Sequence, residues 1–136
     1  MITGKERILV VDDEEYLVET MDRMLKKLGY EVEYHVYPEK ALDSFQSDPS
    51  RFDLVITDMT MPKMQGDNLA KRILDIRPDI PIILCTGFMG KIDKQQIEEI
   101  GICKCLEKPF DYKQLSSAVI ESLGNSSEQD IKNILL

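Results

Sequence analysis

Four ionisable side chains stand where hydrophobic runs end. Asp12 and Asp13 follow Ile8-Leu9-Val10-Val11, Asp58 follows Leu54-Val55-Ile56-Thr57, and Lys108 comes just after the stretch from Ile102 to Leu106. If those runs are neighbouring parallel strands, three carboxylates and one ammonium meet in a single pocket. Like charges about 4 Å apart repel by roughly 4 kcal/mol per pair at an effective dielectric near 20, so three ionised carboxylates need compensation. One lysine leaves two negative charges, which a single divalent cation would neutralise. Oxygen-only ligands favour Mg²⁺ (or Mn²⁺) over zinc, and Mg²⁺ typically takes one or two carboxylates together with waters and phosphate oxygens. The fitting chemistry is phosphoryl transfer. A carboxylate beside the cation can act as the nucleophile and form an acyl phosphate. A lysine and a hydroxyl would hold the transferred oxygens.

The elements that must position these groups can be read from the alternation of apolar runs with helix-period segments. Residues 7 to 12 read as a strand, and Leu17, Met21, Met24, Leu25 and Leu28 then recur at helical spacing up to Gly29. Residues 31 to 36 are a second strand candidate, and a helix opens near Pro38 and runs to about Gln46. Phe52 to Thr57 is the third strand, and a helix carrying Leu69, Ile73 and Ile76 runs to the break at Pro78. Pro81 to Cys85 is the fourth strand, Ile92 to Ile100 a short helix ending at Gly101, and Ile102 to Glu107 the fifth strand. A last helix, with Leu115, Val119, Ile120 and Leu123 on one face, reaches Gly124. Continuous Ile/Val/Leu runs indicate strands covered on both faces, hence a parallel sheet flanked by helices. The expected fold is α/β: a doubly wound, five-stranded parallel sheet with helices on both faces. In such sheets ligands bind outside the carboxyl ends of the strands, where the strand order reverses. That rule gathers Asp12, Asp13, Asp58, Thr86 and Lys108 at one edge.

Composition narrows the function. A chain of 136 residues is a one-domain length that can bury a core without disulfides. Its formal net charge of -8 argues against nucleic acid as a partner, because affinity for a phosphate backbone rests on clustered Lys and Arg. No secretory leader pattern is visible, and no apolar stretch approaches the roughly 20 residues that span a bilayer. The expectation is a cytoplasmic protein without a membrane partner. Cys85, Cys103 and Cys105 each sit inside an apolar run and read as reduced thiols buried in strands, and Cys103-x-Cys105 lacks the second ligand pair of a zinc site. His35, in an alternating segment, reads as a strand histidine.

The ordered motifs Val10-Val11-Asp12-Asp13-Glu14, Asp58-Met59-Thr60-Met61-Pro62 with Gly66, Cys85-Thr86-Gly87 and Lys108-Pro109-Phe110 resemble the receiver domain of two-component response regulators. The likeness covers about residues 6 to 123 and leaves 124 to 136 as a short linker or helical tail with no output domain. It implies a flavodoxin-like strand order, 2-1-3-4-5, and roles position by position. Asp58 would be the phosphoacceptor, Asp13 a direct Mg²⁺ ligand, Asp12 a holder of metal-bound water, and the backbone carbonyl of Thr60 a further ligand. Lys108 would pair with phosphoryl oxygens and Thr86 would move to hydrogen-bond one of them. Gly87, lacking a side chain, would leave the phosphoryl site open, and the Lys108-Pro109 bond would be cis. The implied partners are a histidine kinase or phosphotransfer domain and a downstream protein. A homodimer through the fourth helix, fifth strand and fifth helix is a further possibility.

Three positions depart from the family pattern or tune it. Receivers commonly carry Tyr or Phe three residues before the lysine, where this chain has Cys105. A thiol cannot fill the space that a ring would vacate, so the switch is expected to run through the loop from Thr86 to Lys91 and the following helix. Phe88, two residues after Thr86, and Thr60, two after Asp58, occupy positions that in this family tune how readily water reaches the acyl phosphate. The tail from Asn125 to Leu136 carries Ile131, Ile134, Leu135 and Leu136 after a polar stretch. It reads as an amphipathic turn or two packing on its own domain, a dimer contact, or the stub of a larger protein.

Several functional readings stay open. The leading one is a free-standing phosphoacceptor switch, not an enzyme with a turnover substrate. The same residues would serve in a receiver cut from a hybrid histidine kinase. A Mg²⁺-dependent phosphatase of the haloacid-dehalogenase type also uses an aspartyl nucleophile, but it resembles an Asp-x-Asp pattern whose second acid donates protons. Thr60 stands at that place.

Overall fold

The computed structural model describes residues 6 to 124, and the tail from Asn125 to Leu136 lies outside the described residues. Five strands, β1 (Arg7–Val11), β2 (Glu31–His35), β3 (Leu54–Asp58), β4 (Ile82–Thr86) and β5 (Lys104–Glu107), form one sheet in the order β2-β1-β3-β4-β5. Every neighbouring pair is parallel. The helices α1 (Glu15–Lys27), α2 (Pro38–Ser47), α3 (Gly66–Ile76), α4 (Lys94–Ile100) and α5 (Tyr112–Ser122) alternate with them. Single 3₁₀ turns at Pro49–Arg51 and Met89–Lys91 complete the described elements. This is the expected doubly wound sheet.

Side chains on a strand alternate between faces, so each strand feeds two cores. Ile8, Val10, Leu54, Ile56 and Ile83 pack with Val18, Met21 and Leu25 of α1 and Leu115 and Val119 of α5. Leu9, Val11, Val55, Ile82 and Leu84 pack on the other face with helices α2, α3 and α4 through residues such as Phe45, Leu69, Ile73 and Ile97. Both faces being covered explains why β1, β3 and β4 read as unbroken apolar runs, whereas β2 at the sheet edge alternates. The chain's winding reverses on either side of β1, so a crevice opens between the carboxyl ends of β1 and β3.

Helix ends follow local chemistry. Gly101 closes α4 with φ 98, the left-handed geometry that residues with a Cβ avoid. Asp111 opens α5 with a full capping box to Gln114, two otherwise orphaned amides being satisfied reciprocally.

Four expectations need correction. The third strand begins at Leu54 rather than Phe52: the Asp53 amide still donates to the Arg7 carbonyl at 2.8 Å, but the Arg7 amide donates to the Asp53 side chain instead of to a backbone carbonyl. The fifth begins at Lys104, and Cys103 is exposed rather than buried, lying 3.7 Å from the Ser122 hydroxyl. Ile76, at the last turn of α3, is 38% exposed: the apolar stripe of that helix runs through Leu69, Ala70 and Ile73 and turns off the core before its end. His35 does sit in β2, paired at 2.9 Å with Glu33.

Candidate functional site

The site is assembled from strand ends. Asp12 and Asp13 directly follow β1, Asp58 is the last residue of β3, Thr86 the last of β4, and Lys108 the first after β5. Register brings them together, since Val11 lies opposite Thr57, Asp58 opposite Cys85 and Thr86 opposite Glu107. Ligand oxygens of Asp12, Asp13 and Asp58 all lie within 4.8 Å of one another. Asp12 and Asp58 are buried, whereas Asp13 faces solvent. Neither acid is the N-cap of α1: Glu14 occupies that position, and the Asp12 carboxylate accepts its amide at 2.9 Å.

Lys108 spans the carboxylates. Its ammonium lies 2.8 Å from Asp12, 3.1 Å from Asp58 and 3.8 Å from Glu14. Burial alone would lower its pKa, but its hydrogen bonds and charge pairing with Asp12 and Asp58 hold it above the usual lysine range. Asp58 goes the opposite way from an ordinary ion-paired carboxylate. Burial first and the Asp12 charge second, with a smaller push from Asp13, raise it from 3.8 to about 6 despite the lysine. The cluster thus holds more negative charge than its one ammonium relieves.

Gly66 is what lets the crevice close under Asp58. A Cβ built there would stand 2.0 Å from the Asp58 carbonyl oxygen and 2.9 Å from Leu84, so the start of α3 can approach β3 only without a side chain. The Gly66 amide also donates to the Met59 carbonyl at 2.8 Å, tying the loop that carries Thr60. The sequence shows Gly66 only as a fixed offset from Asp58. Its physical reason, a backbone contact, becomes visible in three dimensions.

The β4–α4 loop begins at Thr86, which is buried and whose hydroxyl accepts the Phe88 amide at 3.2 Å. A Cβ on Gly87 would meet nothing within 4 Å, so open space lies beside this position. Phe88 is 58% exposed, its ring under the Lys91 ammonium at 5.5 Å. Cys105 is half-buried against the α2–α3–α4 core, and burial raises its thiol pKa. The Lys108-Pro109 peptide bond is cis, as the resemblance implies. Glu107, which sequence reasoning passed over, accepts the Met89 amide at 3.1 Å. Its signal was its place directly before Lys108.

Three acids and one lysine gathered at the switch point of a doubly wound α/β sheet make a donor set suited to a divalent cation and a phosphoryl group. The model of the response regulator receiver domain matches residues 8–120, and the chain belongs to that family, the receiver domains of two-component signalling. It is 31% identical to the response regulator receiver protein CpdR of Brucella abortus over 118 residues, covering 87% of this chain and 97% of that protein. It is 29% identical to the sensor kinase CckA of the same organism over 122 residues, which are 90% of this chain but only 13% of the kinase. Among solved structures it is similar to the response regulator TrrA of Thermotoga maritima, described in complex with Mg²⁺ and BeF, with 32% identity and a TM-score of 0.77. That match covers 85% of this chain and 97% of the other. No described helix is long and apolar enough to cross a membrane.

Proposed function

We propose that this chain is a phosphorylation-controlled switch whose phosphoacceptor is Asp58. A phosphoryl group would pass from a histidine kinase or a phosphotransfer domain, and the response would alter contacts with a downstream protein. The observation that carries this reading is the Lys108 ammonium, poised between Asp12 and Asp58 at 2.8 and 3.1 Å beside an open-faced Asp13.

In the reaction a carboxylate oxygen of Asp58 attacks phosphorus, the P–N bond to the donor imidazole breaks, and an acyl phosphate forms. The imidazole leaves with the electron pair and takes up a proton. Lys108 then exchanges its contact with Asp58 for one with a phosphoryl oxygen, and the Thr86 hydroxyl turns to donate to another. The oxygen-only donor set and its excess negative charge fit Mg²⁺ or Mn²⁺, which Asp12, Asp13, Asp58 and the Thr60 carbonyl would hold. When bound, the cation supplies positive charge that lets carboxylate and phosphoryl oxygens approach. The TrrA complex with Mg²⁺ and BeF supports that part of the proposal by likeness.

The receiver unit is taken as residues 6 to 123, and a cytoplasmic location belongs to the same proposal, since an ATP-fed kinase would charge it there. The face of α4, β5 and α5 is the surface offered to a partner, a second copy included. The same chemistry would serve a free-standing receiver, as CpdR's length parallels, or one within a longer kinase, as CckA parallels. The phosphatase alternative loses ground because Thr60 has no ionisable group to donate a proton.

The test is mass spectrometry after incubation with acetyl phosphate and Mg²⁺. Wild type should gain one phosphoryl group and Asp58→Asn none. An unmodified wild type, or the same adduct on both proteins, refutes the assignment.

A further inference from the structure

We propose that Glu107 is a latch on the loop that carries Thr86, its carboxylate holding the Met89 amide in the resting pose and releasing it as Thr86 turns toward the acyl phosphate. The proposal rests on Asp58 being the acceptor.

The geometry singles out this one bond. The segment from Thr86 to Met89 is fastened to β5 at both of its ends. The Lys108 amide donates to the Thr86 carbonyl at 2.7 Å, and the Met89 amide donates to the Glu107 carboxylate at 3.1 Å. Between them the Phe88 amide occupies the Thr86 hydroxyl at 3.2 Å. The first bond continues the β4–β5 pairing, in which Thr86 faces Glu107, and breaking it would fray the sheet. The second is made by an exposed side chain at a strand end. It can open by a rotamer change that leaves the backbone of β5 in place.

Thr86 is thus held by its own loop. For its hydroxyl to leave the Phe88 amide and reach a phosphoryl oxygen on Asp58, the peptide units after it must follow, and Met89 is where they are pinned. Half-buried Cys105 has no ring to couple this loop to the rest of β5. The Glu107 carboxylate supplies a side-chain connection between the same two elements, from the same face of β5 two residues further on. Glu107 is a positioning residue in this scheme: it acts through Thr86 and touches no reacting atom.

The experiment measures the rate of adduct formation with subsaturating acetyl phosphate and Mg²⁺ in wild type, Glu107→Ala and Glu107→Gln, each with Thr86 intact or changed to Ala. Met89 amide exchange is followed in parallel. The bond is made by an exposed side chain, so its loss should change the rate by no more than about fivefold. Glu107→Ala should speed adduct formation by about two- to fivefold and expose the Met89 amide to exchange. Glu107→Gln, which keeps an acceptor oxygen, should stay closer to wild type, and Thr86→Ala should abolish the difference. Equal rates in all three proteins, equal acceleration by Ala and Gln, or an effect that survives Thr86→Ala would each overturn the latch. Failure of wild type itself to accept phosphate would instead refute the reading of Asp58.

Discussion

Replacing Asp58 by Asn should stabilise the unliganded domain, and the gain should depend on pH in a defined way. Asp58 is buried beside Asp12 and Asp13, and its carboxyl group is raised from 3.8 to about 6. Its side chain is only 8% exposed, so solvent screening removes little of that shift. A raised carboxyl pKa means that the folded protein holds the proton more tightly than the unfolded chain. Stability therefore falls as pH rises between the two values, and the whole penalty is present above about 6. Linkage with those two values gives a cost of about 3 kcal/mol near pH 7.5 and about 1 kcal/mol near pH 4.5. Asn removes the charge while its amide oxygen can still accept from Lys108, which keeps its pairing with Asp12. Urea denaturation followed by circular dichroism, with chelator present, should show Asp58→Asn more stable by about 2 to 3 kcal/mol near pH 7.5, a midpoint shift of roughly 1 M or more. Near pH 4.5 the gap should shrink to about a third. Mg²⁺ should narrow it at neutral pH by compensating the ionised carboxylates of wild type. A variant no more stable than wild type, or a gain that stays constant with pH, would refute the electrostatic account of this pocket.

Other perturbations address other contacts. Gly66→Ala should destabilise the fold by about 3 kcal/mol or more, read by urea midpoint, because its Cβ would overlap the Asp58 carbonyl. Gly87→Ala should leave stability unchanged or raise it by about 0.5 kcal/mol, since its Cβ meets open space, so any slowing of phosphorylation there reports on the site and not the fold. Lys108→Gln should tighten Mg²⁺ binding by about tenfold in titration calorimetry, because the ammonium now competes for Asp12 and Asp58, while slowing adduct formation. Phe88→Ala should shorten the lifetime of the phosphorylated protein a few-fold, and an unchanged lifetime would show that the ring stays outward beside Lys91.

The local and periodic features were legible from residue types. Strands buried on both faces cannot hide their composition, so the runs at Ile8–Val11 and Leu54–Thr57 announced a parallel sheet, and Gly29 and Gly101 marked helix ends that require positive φ. Errors fell at the margins. Cys103 sits among apolar neighbours in the sequence, yet its place just before the edge strand β5 leaves it exposed. Periodicity reports which residues share a face, not how far a neighbouring element extends to cover them. Ile76 shows the same lapse at the end of α3.

By itself the amino-acid sequence determined the parallel sheet, the order of its motifs and the presence of three acids and a lysine at strand ends, because each of these is a property of short segments. Only the tertiary structure decided how the charges balance. Register set Lys108 against Asp12 and Asp58, burial raised Asp58 in spite of that lysine, and Gly66 allowed a backbone approach that no spacing rule expresses. It also linked Glu107, the last residue of β5, to Met89, 18 positions away at the start of the 3₁₀ turn after β4. Electrostatic energies and close contacts depend on distances across the chain, and those distances exist only once the sheet has formed.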